Sequence, residues 1–171
     1  MMSICFALPM LLGAGQDDLP EKWHAFKSAA GKYSVHMPSE PKEKKQTSGP
    51  LSITLQIAEG KHDSYFVVSH CDIPAAELKK GNAEKRLDQA CLGAVETAGG
   101  ELRGDKKKIT LDGKHPGREI VIEKKGEVIA RMRIYLVDNR LYQVMVLGSG
   151  PTFAAKEKDV GLFLDSFRLI K

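Results

Sequence analysis

Three β-type runs joined by two short turns constrain this chain more than any other feature. Between Gly117 and Gly148, runs at 118–123, 127–137 and 140–147 are separated by Lys124-Lys125-Gly126 and by Asp138-Asn139. Ile, Val, Tyr and Leu dominate the runs, as suits a pleated, half-buried surface. Asp-Asn can supply the positive φ values that a two-residue hairpin turn demands. With 138–139 as that turn, Val137 opposes Arg140, Leu136 opposes Leu141, Ile134 opposes Gln143 and Met132 opposes Met145. A three-residue loop ending on Gly126 suits a hairpin closed by a glycine bulge. It pairs Glu123 with Glu127, Ile122 with Val128, Ile120 with Ala130 and Glu119 with Arg131. Opposed residues share a face. One face then carries Val128, Ala130, Met132, Ile134, Leu136, Leu141, Met145 and Leu147, with Gln143 as its one polar member. Two independently placed turns give a single apolar face, and that agreement is what a defined register requires.

The remaining elements follow from the same periodicities. Residues 16–31 are polar apart from Trp23 and Phe26, and read as a lead-in whose aromatics dock on the domain. Residues 32–37 alternate, with Tyr33, Val35 and Met37 on one side, and Pro38 and Pro41 end the run. A charged loop is expected over 39–50. Residues 51–58 alternate, with Leu51, Ile53, Leu55 and Ile57 expected to face inward, and 64–72 make a further strand. A helix follows. Asn82 is its N-cap, Leu87, Ala90, Cys91, Ala94, Val95 and Ala98 form one stripe, and Gly99-Gly100 ends it. Residues 101–111 are strand-like, with a basic centre at Lys106 to Lys108 that suits an edge or a bend. A last helix is predicted over 152–167, with Val160, Phe163, Leu164 and Phe167 at i, i+3, i+4 and i+7, before a short strand at Arg168-Leu169-Ile170. Strands joined by short turns imply an antiparallel sheet. The expected class is α+β, with about six to seven strands and helices packed against them.

With 171 residues the chain is long enough for one domain with a full core, taken to run over 32–171. The net charge is +4, and the lysines cluster at Lys42, Lys44 and Lys45, at Lys79 and Lys80, at Lys106 to Lys108, and at Lys124 and Lys125. Each cluster lies at a predicted turn or strand end. They read as solvated loop tips, because a nucleic-acid surface wants one continuous basic patch with aromatics. Residues 1–15 differ in character. Ile4 to Leu12 is apolar and Gly13-Ala14-Gly15 is small, before polar Gln16-Asp17-Asp18. This pattern reads as a secretory signal peptide cleaved near Gly15, although it lacks the usual basic start. The competing reading is an apolar N-terminal strand or helix. Nine apolar residues are too few to span a bilayer.

Several of these residues together resemble a known family. Trp23-x-x-Phe26, then Gly31-Lys32-Tyr33-Ser34-Val35-His36-Met37-Pro38-x-x-Pro41, resembles the opening of the PsbP-like superfamily. Gly117-Arg118-Glu119 leading into paired strands, and the ending Phe163-Leu164-Asp165-Ser166-Phe167, are similar to it as well. The resemblance covers about 23–170. The superfamily includes the photosystem II extrinsic subunit PsbP, the Ran-binding protein Mog and exported bacterial proteins of unknown role. The resemblance implies an antiparallel sheet between helical layers, an α/β/α sandwich. It implies accessory or adaptor roles rather than catalysis, and it transfers no binding residue. Fold does not fix function.

The residues nominate no catalytic group, no cofactor and no metal. His70, Cys71 and Asp72 are adjacent, but neighbours on a strand point to opposite faces. His24, His36, His62 and His115 lack metal-ligand spacing. There is no nucleophile elbow, and Gly99-Gly100 follows a helix whereas a phosphate cradle precedes one. Glu119 and Glu123 lie close to basic side chains and read as a salt-bridged face. The second face of the meander is the candidate binding surface. It carries Arg131, Arg133, Tyr135, Arg140 and Tyr142 beside Val144 and Val146, and arginine with tyrosine is the composition of interfaces and anion sites. The competing account, and the favoured one, is that a helix covers the valines while the arginine stems pack beside them. Removal of residues 1–15 would leave Cys71 and Cys91, which could form a disulfide. Buried free thiols are the favoured alternative. The function expected is that of an exported, non-enzymatic accessory domain binding a protein or a small ligand. An intracellular adaptor or chaperone-like protein, and a hydrolase or metal-dependent enzyme with an unrecognised site, are the alternatives.

Overall fold

The computed structural model describes residues 23–150, 153 and 157–170. Strands β1 (His24–Ser28) and β2 (Tyr33–Met37) pair antiparallel, and β11 (Arg168–Leu169) adds to the other edge of β2. A second, larger sheet holds β3 (Lys42–Ser48), β4 (Leu51–Glu59), β5 (Tyr65–Asp72), β6 (Glu101–Leu102), β7 (Lys107–Leu111), β8 (His115–Lys124), β9 (Glu127–Val137) and β10 (Arg140–Leu147). Its order is β3-β4-β5-β10-β9-β8-β6, with β7 also paired to β8, and every pairing is antiparallel. The described helices are α1 (Ala75–Leu78), α2 (Ala83–Ala98) and α3 (Glu157–Ser166). The α+β class holds, with more strands than expected. The predicted signal segment, 1–15, lies outside the described residues.

Two cores sandwich the large sheet. On one face Phe66, Val68, Tyr135, Tyr142, Val144 and Val146 meet Tyr33, Val35 and Met37 of β2 and Val160, Phe163 and Leu164 of α3. On the other, Ile120, Ile122, Ala130, Met132, Ile134 and Leu136 meet Leu87 and Cys91 of α2. The layers are therefore α2, the large sheet, and then the small sheet with α3. The stripe on α2 works as its periodicity predicts. Asn82 Oδ1 accepts from the Lys85 amide at 2.9 Å, and Gly99 ends the helix in the left-handed region at φ 62°.

The hairpin at 138–139 has the expected register, pairing Val137 with Arg140, Ile134 with Gln143 and Met132 with Met145. The hairpin at 124–126 does not. Lys125 and Gly126 take φ values of 53° and 82°, which makes a two-residue turn and pairs Lys124 with Glu127. A bulge follows, and the ladder resumes with Ile122 opposite Ala130, Ile120 opposite Met132 and Glu119 opposite Arg133. The expected Ile122–Val128 and Glu119–Arg131 pairs are thus displaced along β9. The bulge also turns Val128 toward the small-sheet layer and Ile129 toward α2.

Four further expectations are corrected. Residues 24–28, read as lead-in, form β1, where Phe26 sits against Tyr33 at 6.3 Å between ring centroids. The charged loop over 39–50 contains β3, a strand exposed at every position and held by its backbone ladder to β4. No apolar alternation marks such a strand, and its lysines guard a free sheet edge. In β4 the alternation is real but the fully buried side is Gln56 and Ala58, while Leu51, Ile53, Leu55 and Ile57 are only half-buried on the opposite face. The last helix stops at Ser166, and Phe167 is buried just beyond its end.

Candidate functional site

The arginine–tyrosine face lies beneath the small sheet and α3. Tyr135 and Tyr142 are 4% and 2% exposed, and burial raises the pKa of both phenols. They pack with Phe167 at centroid distances of 6.0 and 5.5 Å, and the Tyr142 hydroxyl donates to the Gly31 carbonyl at 2.7 Å. Gly117 makes room for this: a Cβ there would stand 2.6 Å from Tyr135 Cδ1 and 2.7 Å from the Ile134 carbonyl oxygen. Arg133 donates to Glu119 at 2.6 Å, to Asp165 at 2.7 Å and to the Leu164 carbonyl at 3.1 Å, so it ties β8 and β9 to the end of α3. Arg140 grips both oxygens of Asp72, at 2.6 and 2.7 Å, and reaches the Ala30 carbonyl at 2.9 Å. Those bonds hold the Asp72 carboxyl below its ordinary pKa. These four nominated residues therefore join layers.

Arg131 is different. It lines an open cavity of about 500 Å³ with Arg103, Glu127, Val128, Phe153 and Glu157. Its Nη1 donates to Glu157 at 3.2 Å, while its buried Nε has no hydrogen-bond partner among the described residues. Arg103 Nε stands 3.7 Å from Glu123. The register shift at the 124–126 hairpin sets this geometry, because it moves Arg131 away from Glu119 and leaves Arg133 in that pair. Two guanidinium groups and two carboxylates surround an apolar floor of Val128 and Phe153. Such a balanced, mixed lining suits a polar peptide segment better than a phosphate-rich ligand.

The layered architecture has a solved counterpart. Cyanobacterial PsbP (CyanoP) from Synechocystis sp. PCC 6803 superposes with a TM-score of 0.59 and 13% identity, over 92% of this chain and 98% of that one. The fold is PsbP-like. No protein-family model and no curated protein matches the sequence. At this identity the likeness establishes fold and leaves role open.

The other nominated residues of this PsbP-like chain fall in separate places. Cys71 and Cys91 are both buried free thiols, and burial raises the pKa of each. α2 packs on β8 and β9, so β10 stands between the strand under Cys91 and the β5 strand of Cys71. His70 faces Tyr33 and Tyr142, at centroid distances of 6.1 and 6.3 Å. Burial first, and Arg140 second, lower its pKa, and its Nδ1 is buried without a partner among the described residues. Among those residues no three His, Cys, Asp or Glu side chains converge as metal ligands.

One structural charge escaped the sequence reading. Arg118 is 3% exposed yet ionised, bonded to Glu84 at 2.6 Å and to Asp88 at 3.2 Å on α2. Lys108 and Lys106 stand 2.9 and 3.6 Å from the same two carboxylates. Arg118 Nη2 and Lys108 lower the Glu84 pKa to about 2. The available signal was joint: Arg118 is in phase with Ile120 and Ile122 on β8, and Glu84 and Asp88 share one flank of α2 at i, i+4.

Proposed function

We propose that this chain is a non-enzymatic accessory domain, exported from the cytoplasm, that binds a protein partner at the Arg131 groove. The groove carries the reading, because the other residues of the arginine–tyrosine face are engaged between layers. Arg131, whose pair with Glu157 is exposed, lines a solvent-open, mixed-charge cavity. The ion pairs of Glu119 and Glu84 with arginines favour scaffold duty for these carboxylates over acid–base work. The apolar run at 4–12, followed by small residues, supports export.

The test uses cells that make the protein natively. A photo-crosslinking residue placed at Glu127 should give one discrete adduct that disappears on Arg131→Glu, and the same residue at Lys114 should give none. Equal adducts from both positions, or no adduct from Glu127, would count against the groove. The intact mass of the mature chain should correspond to a start near Gln16. A full-length mass from the cytoplasm would favour the intracellular adaptor instead, and stoichiometric metal in the purified protein would favour a metal-dependent enzyme.

A further inference from the structure

We propose that the half of the large sheet beside α2, over β4, β5 and β10, binds an amphipathic α-helix of a partner protein that carries carboxylates along one flank. This rests on the accessory-domain reading but uses a surface separate from the Arg131 groove. Cross-strand rows run the width of the sheet. One reads Lys42, Ile57, Val67, Met145, Met132 and Ile120; the next reads Lys44, Leu55, Ser69, Gln143, Ile134 and Arg118. Each row is apolar at its flanks and the second is basic at both ends. Ser69 and Gln143 bond to each other at 3.4 Å, so the polar centre of the second row is satisfied within the sheet.

The β8–β9 half shows what such a surface takes. α2 lays Leu87 and Cys91 on Ile120, Ile122 and Ile134, and turns Glu84 and Asp88 to the basic margin of Arg118, Lys106 and Lys108. The β4–β5 half has the same components without the helix. α3 meets β5 from the opposite face, through Phe163 and Phe66. On the α2 face no described helix packs extensively on β3, β4 or β5, where the small Val67, Ser69 and Cys71 are buried between their larger neighbours. Ile53, Leu55 and Ile57 are half-buried, and Tyr65 on the same face is 43% exposed. The margin is again basic. Lys42 reaches only the exposed Glu59, at 3.4 Å, and Lys44 has no ion-pair partner among the described residues. Charge complementarity therefore selects a helix of α2-like chemistry, with its apolar stripe on Leu55, Ile57 and Met145 and its carboxylates toward Lys42 and Lys44.

The experiment uses the full chain and two fluorescent peptides of about five helical turns. Both carry the same leucine stripe; one has glutamates on a single flank, the other lysines. The acidic peptide should bind, shift amide resonances on β4, β5 and β10, and bind at least about tenfold more tightly than the basic one. Combined Lys42→Glu and Lys44→Glu should remove that preference, Leu55→Asp should abolish binding, and Arg131→Glu should leave it unchanged. The lysines are exposed, so the charge reversal decides the matter even if Leu55→Asp fails to fold. Equal binding of the two peptides, or binding of neither, overturns the proposal. So does concentration-dependent self-association through this face, which would assign it to a second copy. Protection of these amides in the full-length chain without peptide would assign it to residues 4–12 and likewise overturn it.

Discussion

Replacement of Phe163 by alanine tests whether α3 is an integral layer of the fold. The Phe163 side chain is fully buried, with its ring edge-on to Phe66 at 5.2 Å and 81°. Phe66 in turn meets Trp23 at 5.3 Å, so one aromatic chain links α3, the large sheet and the start of β1. A buried Phe→Ala change costs about 3–5 kcal/mol, the sum of lost transfer energy and the cavity left behind. The upper half of that range is expected here, because the helix cannot settle inward to fill the space. Arg133 holds its Asp165 end, Ser166 Oγ accepts from the His36 amide at 2.9 Å, and β11 is tied to β2 directly after it. With a urea m-value of about 2 kcal/mol/M, a loss of about 4 kcal/mol lowers the midpoint by roughly 2 M. Trp23 is the sole tryptophan and reports this layer, while far-UV circular dichroism reports the whole. The two curves should shift together with an unchanged slope. A midpoint change below roughly 0.5 M, or about 1 kcal/mol, would show that α3 does not dock through Phe163. A Trp23 transition well ahead of the dichroism would refute the idea that the layers unfold as one unit.

Other substitutions probe the remaining claims. Arg131→Glu should cost no more than ~1 kcal/mol in urea unfolding, since its pair with Glu157 is exposed; a larger loss would make the residue structural. Gly117→Ala should destabilise by about 1–3 kcal/mol, because the new methyl group must displace Tyr135 or part β8 from β9, and a neutral result would refute that contact. Burial lowers the His70 pKa below its ordinary 6.5, so its neutral form is the one the fold accommodates. Its contribution is present above pH 6.5 and is lost as pH falls through the folded value, so His70→Gln should flatten the decline in melting temperature on acidification. Thiol titration of denatured, unreduced chain beginning at Gln16 should find both Cys71 and Cys91 reactive, whereas none would establish the bridge.

Legibility varied with how local the signal was. The 138–139 hairpin was readable because two residues impose its turn and its strands alternate on both sides of it. The 124–126 hairpin admitted two closures, and the chosen one depends on where the bulge best distributes Val128 and Ile129 between two cores. β3 was invisible because an exposed edge strand needs only backbone partners. On the nominated face the composition was read correctly, yet the same arginines and tyrosines that mark interfaces between proteins also serve interfaces between layers of one protein. Arg131 remains at the surface because it falls beyond the end of the aromatic cluster.

The sequence alone determined the class of fold and most of its elements, since strand alternation, helical stripes, caps and turns are properties of neighbouring residues. It also determined which side chains were available to bury. The tertiary structure decided which face of each strand became the deeper one, as in β4, where Ala58 and Gln56 lie under the small sheet while Leu55 and Ile57 stay half-covered. It decided that Arg118 is paired while Arg131 Nε has no hydrogen-bond partner among the described residues. Burial and charge pairing arise from chain segments brought together across thirty or more positions, as Glu84 is to Arg118, and no local pattern encodes which segments those are.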